Sequence, residues 1–179
     1  MVETSPSRIW TMRALYLALS LGIMFFQLMP LDVRPHDWAG PDLLLILPMA
    51  WALRRAEYVP ALLVGAIMLL ADLLFMRPPG LMAFLVVIAV EFLKMRALHM
   101  REQTLIAEWF NVALVLVAVI LANRFVLLLL MVAQPPLGLT LIQLGATVLA
   151  YPVIMAVTHF VFGVRKAQPG EVDALGHRL

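Results

Sequence analysis

The chain has 179 residues, 64% of them hydrophobic and 13% charged, with a formal net charge of +2 and a mean hydropathy of +0.98. Soluble domains carry about 25% charged residues, so this composition cannot cover a globular surface with polar groups, and lipid is the expected solvent. The absence of cysteine excludes a disulfide framework, thiolate zinc sites and cysteine nucleophiles.

A membrane-spanning helix needs about 20 apolar residues. Six such segments with short connections fill the chain and leave no room for a separate soluble domain. The expected fold is therefore an all-α, polytopic membrane protein. Residues 1–166 form one transmembrane helical domain, and residues 167–179 form a polar, disordered tail.

Segment one runs from about Ile9 to Pro30; it opens with Arg8 and Arg13 and is uncharged from Ala14 to Leu31. Its apolar part is longer than the core of a signal peptide, and no A-x-A site follows. Ala14, Ala18 and Gly22 are spaced by four and share one face, a stripe on which another helix can pack closely. A polar connection holding Arg34, His36 and Trp38 follows. Pro41 and Asp42 then open segment two, Leu43 to Leu53, because proline at the first helical position and an acid in the first turn favour a helix start. This segment is short for a span, and Pro48 lies inside it. A re-entrant hairpin is the competing reading.

Arg54-Arg55-Ala56-Glu57 makes a tight turn into segment three, Tyr58 to Met76, where Ala61 and Gly65 form a second small-residue pair and Asp72 lies near the far end. Arg77-Pro78-Pro79-Gly80 turns into segment four, Leu81 to Leu93, which ends in Lys94, Arg96, His99 and Arg101. Segment five spans Thr104 to Ala133 and carries Glu108, Asn111, Asn123 and Arg124. Gln134 to Gly138 breaks the pattern before segment six, Leu139 to Val164, which is stopped by Arg165 and Lys166.

If all six segments cross, ten Lys and Arg residues fall on one side: Arg8, Arg13, Arg54, Arg55, Lys94, Arg96, Arg101, Arg165, Lys166 and Arg178. Only Arg34 and Arg77 fall on the other. The positive-inside rule then puts both termini in the cytoplasm. The same alternation requires segment two to span. The small net charge thus reports topology, not nucleic-acid binding. Trp10, Trp51, Tyr58 and Trp109 fall at the cytoplasmic boundary, as an aromatic belt would. Arg54, Arg55, Lys94, Arg96 and Arg101 make the cytoplasmic face, suited to anionic lipid or a cytoskeletal partner.

Glu91, Glu108 and His159 lie within two turns of that boundary, where side chains snorkel to headgroups. Glu91 and Lys94, at i,i+3, are expected to pair. Asp72 and Arg124 are deeper, at about 22 Å and about 28 Å from the boundary at 1.5 Å per residue. An unpaired charge there costs about 2.5–3.5 kcal/mol, so a pair between segments three and five is the economical expectation. A partner helix or a ligand cavity facing either residue is the alternative. No G-x-S-x-G, H-E-x-x-H or Gly-rich phosphate loop is present, and the four His residues lack ligand spacing. A non-enzymatic protein without cofactor or metal is expected.

Pro41-Asp42-Leu-Leu-Leu, Trp51-Ala-Leu-Arg54, Tyr58-Val-Pro60, Gly65, Leu70-Ala-Asp72-Leu-Leu and Pro79-Gly80, in that order, resemble the rod shape-determining protein MreD family. Pro41, Asp42, Arg54, Asp72, Pro79 and Gly80 are the family-motif positions; the paired prolines 78–79 depart from its commoner single proline. The resemblance covers the middle third of the chain. It implies a non-catalytic bacterial inner-membrane subunit of the cell-elongation machinery that makes peptidoglycan. Such a subunit binds MreC and, through it, MreB filaments and the glycan-polymerase and transpeptidase pair. It also implies a fold like the substrate-binding subunits of energy-coupling-factor vitamin transporters, which supply the alternative function. The short loops 77–80 and 134–138 argue against a lidded vitamin site.

Overall fold

A computed structural model of the chain describes residues 6–29, 39–97 and 104–164. The polar tail, the loop holding Arg34 and His36, and His99, Arg101, Arg165, Lys166, His177 and Arg178 lie outside the described residues. Among the described residues all regular structure is helical: α1 (Pro6–Leu28), α2 (Leu43–Arg54), α3 (Ala61–Leu74), α4 (Leu81–Ala97), α5 (Leu105–Leu129) and α6 (Leu137–Phe160), with a 3₁₀ turn at Ala56–Tyr58. Each apolar segment read from the sequence is one of these helices.

The ends differ from expectation for local reasons. Pro60 is the residue before the first turn of α3, so Tyr58 is left in the 3₁₀ turn. At the far end of α3, Met76 adopts φ 53°, Met76 N–H bonds Leu73 O and Arg77 N–H bonds Asp72 O. That is a Schellman ending with methionine in the left-handed position glycine usually takes. α5 ends the same way, with Met131 at φ 52° and Val132 N–H bonded to Leu127 O, four residues before the expected end. Arg54 extends α2 beyond Leu53, and α4 runs on through Arg96.

Three helices, α1, α5 and α6, are long and apolar enough to cross a membrane. They carry most of the exposed large apolar side chains, among them Phe25, Phe26, Leu121, Phe125, Leu141 and Leu149. The shortest of the six, α2, is packed inward. α2 has 12 residues, and every one from Leu44 to Arg54 is buried. A helix apolar on all faces belongs inside a bundle, and α2 packs against α1, α4 and α6. α3 and α4 pack most extensively on one another. Gly65 permits this: a Cβ at that position would stand 3.4 Å from Val87 Cγ2.

Tyr16, Trp51 and Tyr58 pack at the Arg54 end of α2, tilted and edge-to-face, with ring centroids 5.7 Å and 6.2 Å apart. Trp51 and Tyr58 are buried, so they are core residues and not part of an interfacial belt. The reason is that α2 is enclosed by its neighbours on every side. Trp10 is exposed, and Trp109 is half-buried with its indole N–H on Val148 O.

Candidate functional site

The two ends of α2 each hold a charged cluster. At the C-terminal end, Arg54 Nη2 bonds Glu108 Oε1 of α5 at 3.3 Å, and the Tyr151 hydroxyl of α6 donates to the same oxygen at 2.8 Å. All three side chains are buried. Glu108 therefore does not snorkel to a headgroup, and Arg54 is not part of a solvated cytoplasmic face. Helix α5 turns Glu108 inward onto the end of α2, where an opposite charge waits. Breaking a buried pair of this kind leaves an uncompensated charge. Arg96, by contrast, is exposed on α4 and reaches Asn111. Glu91 and Lys94 do pair, at 2.6 Å.

Asp72 and Arg124 do not pair; the expected intramembrane bridge is replaced by two local arrangements. Asp72 Oδ2 accepts the backbone N–H groups of Gly80 (3.1 Å) and Ala83 (3.2 Å). The carboxylate thus satisfies free donors at the start of α4 and complements that helix's positive end. Gly80, at φ +86°, makes the turn that brings these N–H groups back to α3. Asp72 and Gly80 are therefore one structural unit, and the exposed Pro79 sits in its turn. Matching depth was a sound premise for the pair, but the nearer backbone donors take the carboxylate.

Arg124 Nη1 donates to Thr140 Oγ1 at 2.6 Å and to Pro135 O at 3.2 Å, while Gln134 Nε2 donates to Arg124 O at 3.0 Å. These bonds tie the end of α5 to the turn that starts α6. They also set Arg124 in the wall of a cavity of about 270 Å³ at the N-terminal end of α2. Asp42 and Leu45 of that end, the α3–α4 turn with Arg77, the last turns of α5, and Thr140, Gln143 and Thr147 of α6 complete the wall. Asp42, 7% exposed, faces Arg77 at 3.9 Å through Oδ2. Its backbone N–H donates to Thr147 Oγ1, and its Oδ1 has no hydrogen-bond donor among the described residues. Pro41 beside it is exposed.

The two small-residue faces separate cleanly. Ala61 and Gly65 lie on α3, where Gly65 meets α4. On α1, Ala14 and Ala18 are exposed, and a Cβ added at Gly22 would meet nothing within 4 Å. The opposite side of α1 buries Ile9, Tyr16, Ser20 and Met24. The fold and these sites define an all-helical chain with helices suited to a membrane, charged at both ends of a buried short helix. No protein-family model, curated protein or solved structure matches it.

Thr140, Gln143, Thr147 and Tyr151, all on the uncharged sixth segment, are site residues that sequence reasoning missed. A signal for the Arg54–Glu108 bond was present: opposite charges at the ends of segments two and five that face the same basic gaps.

Proposed function

We propose that this chain is a non-catalytic, multi-pass subunit of the bacterial inner membrane that serves the cell-elongation and peptidoglycan-synthesis machinery. In this reading all six helices cross, and both termini are cytoplasmic. It docks the single transmembrane helix of MreC and is linked through it to MreB filaments and the glycan-polymerase and transpeptidase pair. The observation that carries the reading is the α1 face where Ala14 and Ala18 are exposed and a Cβ added at Gly22 would meet nothing within 4 Å, while Gly65 of the small-residue pair on α3 meets α4. In lipid, helices associate where small residues let backbones approach, and α1 offers such a face with no neighbour of its own. The ordered motif from Pro41 to Gly80 supports the family, and the ten-to-two distribution of basic residues supports the topology.

The cavity at Asp42 favours a second reading, a substrate-binding subunit of an energy-coupling-factor-type vitamin transporter. One experiment separates the two. The tagged chain, purified in mild detergent with MreC co-expressed, should bring MreC down, and Ala18→Leu with Gly22→Leu should release it. Recovery of a vitamin-like ligand without MreC would replace the first reading with the second. The chain has no cysteine, so single cysteines introduced at Met95 and Gly138 can report sidedness. An impermeant thiol reagent added outside spheroplasts should label only the second.

A further inference from the structure

The cavity at the N-terminal end of α2 has no role in docking a helix along α1, yet it is built from five parts of the chain. Its volume, about 270 Å³, is below the roughly 300–1,000 Å³ of pockets for drug-sized ligands. It suits a headgroup-sized molecule. Its charges do not cancel. Arg77 is set against Asp42, which leaves Arg124 as the excess positive charge in the wall. Arg124 uses only Nη1 on Thr140 and Pro135, so further N–H donors of a planar fork remain, and such a fork matches phosphate oxygens. The opposite need stands in the same wall. Asp42 is buried and its Oδ1 has no donor among the described residues, a costly arrangement that a ligand hydroxyl would relieve.

We propose that this cavity binds a hydroxylated phosphate ester of single negative charge, with the phosphate on Arg124 and a hydroxyl toward Asp42. A net anion balances the excess charge; a zwitterion leaves it. The ligand is either a phospholipid headgroup from the surrounding leaflet or a soluble phosphate ester, and the two sources share this chemistry. The site makes no use of MreC, so its failure and that of the docking reading are distinguishable.

The test uses the purified full chain in two arms. In the first, native mass spectrometry measures lipid retained from nanodiscs of phosphatidylcholine alone or mixed with phosphatidylglycerol or phosphatidylethanolamine. In the second, glycerophosphoglycerol, a soluble phosphodiester of single negative charge, is titrated calorimetrically into the protein in neutral detergent. Phosphatidylglycerol should be retained over the other two lipids if the source is the leaflet; glycerophosphoglycerol should bind if it is soluble. Arg124→Gln should weaken the positive arm by about tenfold or more, the loss of a charge-assisted contact. Arg124→Lys should retain much of it, and Arg96→Gln at the far end should change nothing. Ala133→Trp fills the cavity mouth without touching a charge and should abolish binding; it decides the matter if Arg124→Gln lowers folded yield. The proposal is overturned if neither probe binds, if phosphatidylethanolamine is retained as strongly as phosphatidylglycerol and the soluble probe does not bind, or if Ala133→Trp binds like wild type.

Discussion

The two ends of α2 treat charge in opposite ways. At Arg54 the charge is closed in: a carboxylate from α5 and a hydroxyl from α6 meet it, and aromatic rings pack beside it. At Asp42 the partner is a distant Arg77 at 3.9 Å, and a cavity opens next to it. About 18 Å of helix separates them at 1.5 Å per residue. One end spends its charges on holding three helices together, and the other leaves part of their bonding capacity unused. A short helix can thus brace a bundle at one end and present a site at the other.

The sharpest way to break this contrast is at the closed end. Glu108→Leu should cost about 3–5 kcal/mol, because Arg54 is left buried without its counter-charge. Adding Arg54→Met should recover most of that loss in thermal or denaturant unfolding of the purified protein. Failure of the double variant to recover would mean that the end is not a closed pair. Next in size, Asp72→Ala should cost about 1–3 kcal/mol by removing a charged acceptor from two backbone N–H groups, with Asp72→Asn milder. Melting curves of the three proteins would check the order. At the open end the effects shrink. Thr140→Val should cost about 1 kcal/mol through one lost acceptor for Arg124, readable as a small drop in melting temperature.

A coupling measurement sharpens the comparison further. Asp72→Asn and Arg124→Gln share no partner, so their effects should add within about 0.5 kcal/mol. A double-mutant cycle with larger favourable coupling would restore a bridge between them. The smallest expected effect is Gly22→Leu, within about 0.5 kcal/mol of wild type because a side chain there enters open space, while Gly65→Leu should lower stability by forcing α3 off Val87.

Hydropathy makes all six helices legible, since apolar runs between charged or proline-rich turns leave few alternatives. The i,i+3 pair Glu91–Lys94 is equally readable, because helical spacing alone brings those residues together. What hydropathy lacks is the angle around the bundle axis. Asp72 and Arg124 share a depth, but depth does not say which helix each faces, and α4 packs against both α3 and α5. Glu108 was misjudged for the same reason: its distance from the boundary suits snorkelling, and only rotation about α5 decides between lipid and Arg54. Trp51 and Tyr58 resemble a belt in one dimension and are core in three. The cavity was the least legible feature, since it is assembled from segments about 100 residues apart, as the Asp42 N–H bond to Thr147 illustrates.

That bond bears on how the chain is made. α2 emerges early, but its enclosure needs α6, and so does the Tyr151 bond at its other end. During synthesis the side of the second helix that faces α6 must wait, although α1, α4 and Glu108 of α5 are already made, until the last helix arrives. A ribosome paused before residue 137 holds a chain whose innermost helix is still open along one side.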